Sequence, residues 1–269
     1  MKKLGLCLAG GGARGSYQIG VMKVLDELGY LDQVKAISGT SIGSVNASIF
    51  AGRTVDEMKE IWFQYSNDEF KKNTKVFEKL KDKKLEVVKE GIYELEALEK
   101  LLTKNLNLKA LKKQETYVTL SPAGEENAGI MGILKASYKH YIKHDSQVIY
   151  SPLHEQNDKA IYQQVLASCS IPVVFPSMKI GENQVFDGGL YDNVPVKPLV
   201  DAGCDTIIVI HLQRIFFVNK SKYPGVTFHE IKHWGSLGGM LNFDSNQAQK
   251  RYELGYKDAK KYFSENPLN

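Results

Sequence analysis

Between Val34 and Ala47 the sequence changes character over five residues, and few folds accommodate the change. Val34-Lys35-Ala36-Ile37-Ser38 reads as a short strand, Gly39-Thr40-Ser41-Ile42-Gly43 follows, and Ser44-Val45-Asn46-Ala47 is small and helix-compatible. A strand that passes into a helix over so tight a turn brings the backbone close to itself. Cβ atoms at Gly39 and Gly43 would clash there, while the side chain of Ser41 is pushed outward. This is the G-x-S-x-G pattern of a nucleophile elbow. The same residues also fit a plain helix N-terminus with a serine near its cap, so the rest of the chain must decide.

Upstream, Lys3 to Ala9 reads as a buried strand that runs into Gly10-Gly11-Gly12-Ala13-Arg14-Gly15. A helix follows, with Tyr17, Val21, Val24, Leu25 and Leu28 at 3.6-residue spacing up to Gly29. Gly10, Gly12 and Gly15 satisfy G-x-G-x-x-G, which raises a dinucleotide-binding fold. That reading needs an acid at the end of the second strand to hold a ribose, and Ile37-Ser38-Gly39-Thr40 has none. The glycine loop keeps another use, because backbone N–H groups at a helix N-terminus bind oxyanions, including the one formed in acyl transfer.

Composition bounds the setting. At 269 residues the chain is long enough for one large α/β domain or for two small ones, and its 43% hydrophobic content is that of an ordinary soluble globular protein. The apolar run after Met1-Lys2-Lys3 is too short for a secretory leader, and no run approaches the roughly 18 apolar residues of a membrane span. Cys7, Cys169 and Cys204 suggest neither a disulfide framework nor a zinc site, so a reducing, cytoplasmic location is expected. Lysines cluster at Lys71, Lys72, Lys75, Lys79, Lys81, Lys83, Lys84 and Lys89, interleaved with Glu78, Asp82, Glu86 and Glu90. That is a solvated helix face rather than a nucleic-acid surface, with peripheral contact to an anionic membrane as its second reading.

The remaining pattern alternates helix and strand. A helix over 41–51 precedes a capping box at Thr54 and Glu57, then a helix with Val55, Met58, Ile61, Trp62 and Tyr65 on its core face. The stretch 71–113 reads as a helical insertion, either a lid or a structural layer. Thr116 to Leu120 is a strand, and 160–168 a helix. Met178–Ile180 and Gln184–Phe186 form a hairpin ending on Asp187-Gly188-Gly189, and Asp205 to Leu212 is expected as the last strand. Asp187 suits either a functional acid or an ordinary Asp-Gly turn. His140 and His144 stand four apart without a third ligand, so no metal is expected. In the tail, Phe216, Phe217, Trp234, Leu237, Met240, Leu241 and Phe243 read as core or as an apolar rim for lipid entry. The whole predicts an α/β fold with a mostly parallel sheet, divided as 3–212 and a helical extension over 213–269 packed on the same domain.

A serine nucleophile needs a base, usually histidine. Of the late histidines, His211 lies in the last strand run, and His229 and His233 fall in a segment read as helical; none is placed for the role. A partly desolvated carboxylate can serve instead, which makes Asp187 the candidate. Taken together, Gly10 to Gly15, Gly39 to Gly43 and Asp187-Gly188-Gly189 resemble the three signatures of the patatin-like phospholipases, in that family's order. Ser168-Cys169-Ser170-Ile171-Pro172 and Tyr191-Asp192-Asn193-Val194-Pro195 stand where the family has matching residues. The resemblance implies a three-layer α/β/α fold and a Ser-Asp dyad, with Ser41 as nucleophile and Asp187 as general base. The N–H groups of Gly11, Gly12 and Ala13 would form the oxyanion hole, and Arg14 would steady that loop or meet a lipid phosphate. It also implies lipid carboxyl esters as substrates, with no metal or organic cofactor. An acyltransferase or Ser-His-Asp esterase, and a nucleotide-binding or inactive lipid-binding protein, are the competing readings.

Overall fold

The computed structural model describes residues 3–65, 98–122, 148–170, 178–180, 183–187, 192–240 and 242–268. Strand β1 (Leu4–Leu8) is followed by helix α1 (Ser16–Glu27), β2 (Val34–Gly39), α2 (Ile42–Phe50) and α3 (Val55–Tyr65). Helices α4 (98–105) and α5 (Leu108–Leu111) lead into β3 (Glu115–Pro122). Then come β4 (Ile149–Pro152), α6 (Asp158–Ser168), the hairpin β5 (Met178–Ile180) and β6 (Asn183–Asp187), and α7 (Lys197–Asp201). Strands β7 (Thr206–Ile210) and β8 (Thr227–Ile231) and helix α8 (Ser245–Glu265) complete the fold.

The eight described strands join one sheet in which hydrogen-bonded neighbours follow β5-β6-β3-β2-β1-β7-β8; β2 and β6 pair with successive stretches of one edge of β3, and β4 with its other edge. Strands β3, β2, β1, β7 and β8 run parallel, and β4, β5 and β6 add antiparallel pairs at one side. The central parallel strands β1 and β7 are apolar on both faces, as their continuous hydrophobic runs require. Leu4, Leu6 and Leu8 of β1, with Ile37, Ile208 and Ile210, enter a large core shared with α1, α2, α6 and α8. Their neighbours Cys7, Ala36, Ile207 and Val209 face the other way, onto Leu199 of α7 and Phe228. The period-two alternation thus splits each strand between two cores, giving a layer on each side of the sheet. The three cysteines are buried, and none is joined in a disulfide.

Local signals act as expected at several points. Glu57 accepts from the Thr54 N–H (2.8 Å) while Thr54 Oγ1 accepts from the Glu57 N–H (3.2 Å), closing the capping box that starts α3. Gly29, with φ 69°, ends the α1 turn.

The segment after residue 212 departs from expectation. It is not wholly helical, because Thr227–Ile231 forms β8, parallel to β7. His229 lies in that strand and His233 just beyond it, not in a helix. The strand has no clear sequence signal because it is a sheet edge, where charged and polar residues are tolerated and protective; His229 and Glu230 obscure the alternation. The lysine cluster of 71–89 and the pair His140 and His144 lie outside the described residues. Helices α4 and α5 account for the described part of the 71–113 stretch.

Helix α8 crosses α1 with the two backbones nearly touching. A Cβ on Gly20 would strike the Tyr252 carbonyl, and one on Gly255 would strike the carbonyl of Tyr17. Gly255→Ala should therefore lower unfolding free energy by roughly 1–3 kcal/mol, the usual cost of overpacking. A urea midpoint unchanged at constant slope would show that the crossing yields without cost.

Candidate active site

Ser41 follows β2 and has φ 54° and ψ −125°, the only positive φ at a non-glycine among the described residues. Such a conformation costs on the order of 1–3 kcal/mol and persists only where surroundings enforce it. Here they do. The Ser41 N–H donates to Ser168 Oγ (3.0 Å), whose own hydroxyl donates to the Thr119 carbonyl (2.8 Å). The Ser41 carbonyl accepts from the Ser44 N–H (2.8 Å) and hydroxyl (2.6 Å). A Cβ on Gly39 would collide with the Gly43 carbonyl, and one on Gly43 with the carbonyl of Leu8. Ser41 occupies the N-cap position of α2 but makes no side-chain cap bond. The plain helix-cap reading therefore fails, and the elbow reading gains its geometry.

The glycine loop lies beside the elbow because β1 and β2 are parallel neighbours with Leu8 opposite Gly39. The Thr40 N–H reaches back to the Leu8 carbonyl (3.2 Å). Gly12 is left-handed, with φ 57°, as a concave run of N–H groups requires. Among the described residues the Gly11 and Gly12 N–H groups donate to no acceptor, whereas the Ala13 N–H donates to the Met240 carbonyl (2.6 Å). Two of the three donors expected for an oxyanion are thus open in this conformation, and the third is engaged. Gly10 is clamped by Asn193, which accepts from the Gly10 N–H through its carbonyl (3.1 Å) and donates to the Gly10 carbonyl through Nδ2 (3.2 Å). Gly15 precedes α1 and packs on Trp62, which a Cβ would meet at 2.5 Å.

Arg14 is held by two backbone carbonyls. Its Nε donates to the Gly238 carbonyl (2.8 Å) and Nη1 to that of Leu212 (3.3 Å), and burial lowers its pKa. A second arginine, unforeseen from sequence, completes this support. Arg251 of α8 is 2% exposed and donates to the carbonyls of Leu237 (2.7 Å), Ala13 (2.8 Å), Asn242 (2.8 Å) and Gly239 (3.0 Å). Burial first, and then the Arg14 charge, bring its pKa down to about 10. Leu237, Gly238, Gly239 and Asn242 are therefore strapped to the glycine loop by two guanidinium groups.

The backbone ladder locates Asp187 through β3. Val118 pairs with Gly39 of β2 and with Ser151 of β4, so β2 and β4 occupy opposite edges of β3. Leu120 pairs with Ile149 of β4 and with Asp187 of β6, so β6 shares the edge that β2 occupies. Strand β6 is antiparallel to β3 and ends at Asp187, running toward the end of β2. The Asp187 backbone thus lies two residues along β3 from the level of Gly39, roughly 6–7 Å. Gly188 and Gly189 lie outside the described residues. The next described stretch returns to the same place: the Asp192 carbonyl is 2.9 Å from the Thr40 hydroxyl, and Asp192 Oδ2 accepts from Tyr150 (2.6 Å). Tyr150 and Arg251 were legible only as ordinary polar residues, and for Ser168 and Asn193 the family resemblance gave a place but no role, because each acts through a partner far away in sequence.

The family described as patatin-like phospholipase matches residues 6–200, most of the chain and all three motifs. The chain belongs to the patatin-like phospholipase family. It is 26% identical over 222 residues to a lysophospholipase NTE1 of Cryptococcus neoformans, covering 80% of this chain and 11% of that protein. A patatin-like phospholipase domain-containing protein of Neurospora crassa is 46% identical over 56 residues, 21% of this chain and 6% of its own length. The chain therefore spans a small fraction of the curated relatives it matches. Among solved structures, VipD of Legionella pneumophila superposes with a TM-score of 0.55 at 14% identity, covering 98% of this chain and 67% of VipD. That likeness concerns the fold.

In this patatin-like chain the late histidines are engaged away from the elbow. His211, 1% exposed, donates from Nε2 to Glu230 Oε2 (3.0 Å); His233 Nδ1 pairs with Asp258 (2.9 Å); His229 stacks on Phe263. Among the described residues no histidine is hydrogen-bonded to Ser41, and no group of three or more His, Cys, Asp or Glu is arranged to hold a metal. Burial acts to raise the Glu230 carboxyl, but hydrogen bonds from His211 and the Val218 N–H, with Lys220 close by, outweigh it and bring the pKa down to about 2. A carboxyl depressed on folding adds stability above its unfolded pKa and loses it as pH falls through the folded value. The unfolding free-energy difference between wild type and Glu230→Gln should accordingly shrink by roughly 2 kcal/mol between pH 5 and pH 2. A constant difference in acid titrations of stability would deny the carboxylate this role.

Proposed function

We propose that this chain is a lipid acyl hydrolase that cleaves carboxyl esters through Ser41 and Asp187. The observation that carries the reading is the meeting of two strand ends on one edge of β3: β2 delivers the strained Ser41, and β6 ends toward it at Asp187. The neighbouring Gly11 and Gly12 N–H groups donate to no acceptor among the described residues, which suits donors kept for developing negative charge. The histidine alternative finds no support in the hydrogen bonds of His211, His229 or His233.

The chemistry follows from these parts. Ser41 Oγ attacks the ester carbonyl carbon as its proton passes to the Asp187 carboxylate, and the carbonyl oxygen gains its charge beside Gly11 and Gly12. Collapse expels the alcohol, which takes the proton from Asp187 and leaves an acyl group on Ser41. Water, giving a proton to the same carboxylate, attacks the acyl carbon; the bond to Ser41 Oγ then breaks as Oγ takes that proton back, and the fatty acid is released. The strained backbone at Ser41 presents the nucleophile to substrate without a conformational search. Family membership and the lysophospholipase relative support a lipid ester as substrate.

Ser41→Ala and Asp187→Asn should each reduce hydrolysis of a lysophospholipid or a short-chain aryl ester by roughly a thousandfold or more. A fluorophosphonate should label wild type at Ser41 alone, with both variants retaining the wild-type circular dichroism spectrum. Undiminished turnover in Asp187→Asn would remove the dyad. Dinucleotide binding without labelling of Ser41 would favour the nucleotide-binding alternative.

A further inference from the structure

Five large hydrophobic side chains are exposed among the described residues, and four of them share two loops: Ile215 (70%), Phe217 (71%), Trp234 (75%) and Met240 (41%). The loops follow β7 and β8, parallel neighbours of β1 and β2, so they leave the sheet at the edge that carries Ser41 and the glycine loop. Arg214 ties one loop to the other by donating from Nη1 to the Trp234 carbonyl (3.0 Å). The two segments, 211–223 and 232–243, contain Arg214, Lys220, Lys222 and Lys232 and no Asp or Glu. The formal charge of the entire chain is +4, so the remainder is neutral and the net charge resides on these loops.

We infer that these two loops form a docking surface for an anionic phospholipid bilayer, seating the chain with its Ser41 edge toward the membrane. The residue types match an interface rather than a dry protein contact. Trp234 carries the Lys232 ammonium 5.3 Å from its ring centre, pairing an apolar body with a cation at the level of the lipid head groups. Between the loops lies a cavity of about 190 Å³ with Arg14, His211, Arg214, Lys232, His233 and Ser236 in its wall, where a head-group phosphate is the complementary occupant. Glu230 offsets Lys220 (3.2 Å), and Asp258 stands behind His233, leaving Arg214 and Lys232 as the foremost charges. The orientation of the surface takes its meaning from the lipid-hydrolase reading, but the binding itself does not depend on turnover.

The test uses Ser41→Ala protein, so that no lipid is consumed, floated with vesicles of phosphatidylcholine alone or with phosphatidylglycerol added. The protein should float with the anionic vesicles, and added salt should release it. Trp234 fluorescence should shift to the blue on binding, a shift absent in Trp234→Ser. Phe217→Ser with Trp234→Ser should lower partitioning by roughly tenfold or more, and Arg214→Gln or Lys232→Gln by roughly fivefold per charge, with unchanged thermal unfolding. Equal flotation with both vesicle types, or full binding by the loop variants, would overturn the surface. So would a dimer in solution that Phe217→Ser and Trp234→Ser dissolve, with no vesicle binding, since the occupant would then be a second copy. Loss of ester hydrolysis as the fault of the dyad alone leaves flotation intact, which separates the two failures.

Discussion

The pairing of β1 with β2 is the constraint from which the site follows. Two parallel strands in register, with Leu8 opposite Gly39, must release their chains at the same end of the sheet. What leaves β1 is a run of glycines and what leaves β2 is the turn that carries Ser41, so the glycine loop and the strained serine are adjacent before any side chain is considered. The contact is so close that Gly43 cannot carry a Cβ against the Leu8 carbonyl. Parallel pairing of this kind is buried on both faces, and the two apolar cores on either side of Cys7 and Leu8 hold it.

The strain at Ser41 is held by a polar framework under the elbow. Ser168 joins the Ser41 N–H to the Thr119 carbonyl, and the Thr40 hydroxyl stands between Thr119 and Asp192, 2.9 Å from each. Buried hydroxyls placed this way satisfy backbone groups that a reversing chain would leave orphaned. Arg251 solves a different problem. It is a buried cation whose bonds all go to carbonyl oxygens of the strap and the glycine loop. Removal of one partner of such a set would leave charge or carbonyls without compensation.

Much of this was legible in the sequence, for a physical reason: turns that demand glycine leave few alternatives. The strand, loop and helix unit at Leu4 to Leu28 and the elbow at Gly39 to Gly43 are local, and local sterics write themselves into residue identity. The edge strand Thr227–Ile231 was hidden because edges accept polar residues, and its Phe228 and Ile231 are too sparse to set a period. Arg251 looked like any helix surface arginine, since its burial arises only when α8 crosses α1 at Gly20 and Gly255. The Met240 carbonyl at Ala13 is likewise invisible, because a backbone acceptor from a distant loop has no signature in the residue that supplies it.

Arg251 has a consequence for where this fold may be cut. The three motifs end at Gly189 and the family match at residue 200, so a fragment drawn by motif would keep both Ser41 and Asp187. It would also lose β8, the strap and the guanidinium beneath Ala13, leaving the glycine loop without its floor. The smallest transplantable unit is therefore set by the last helix rather than by the last motif, and a graft of this site onto another scaffold must bring α8 with it.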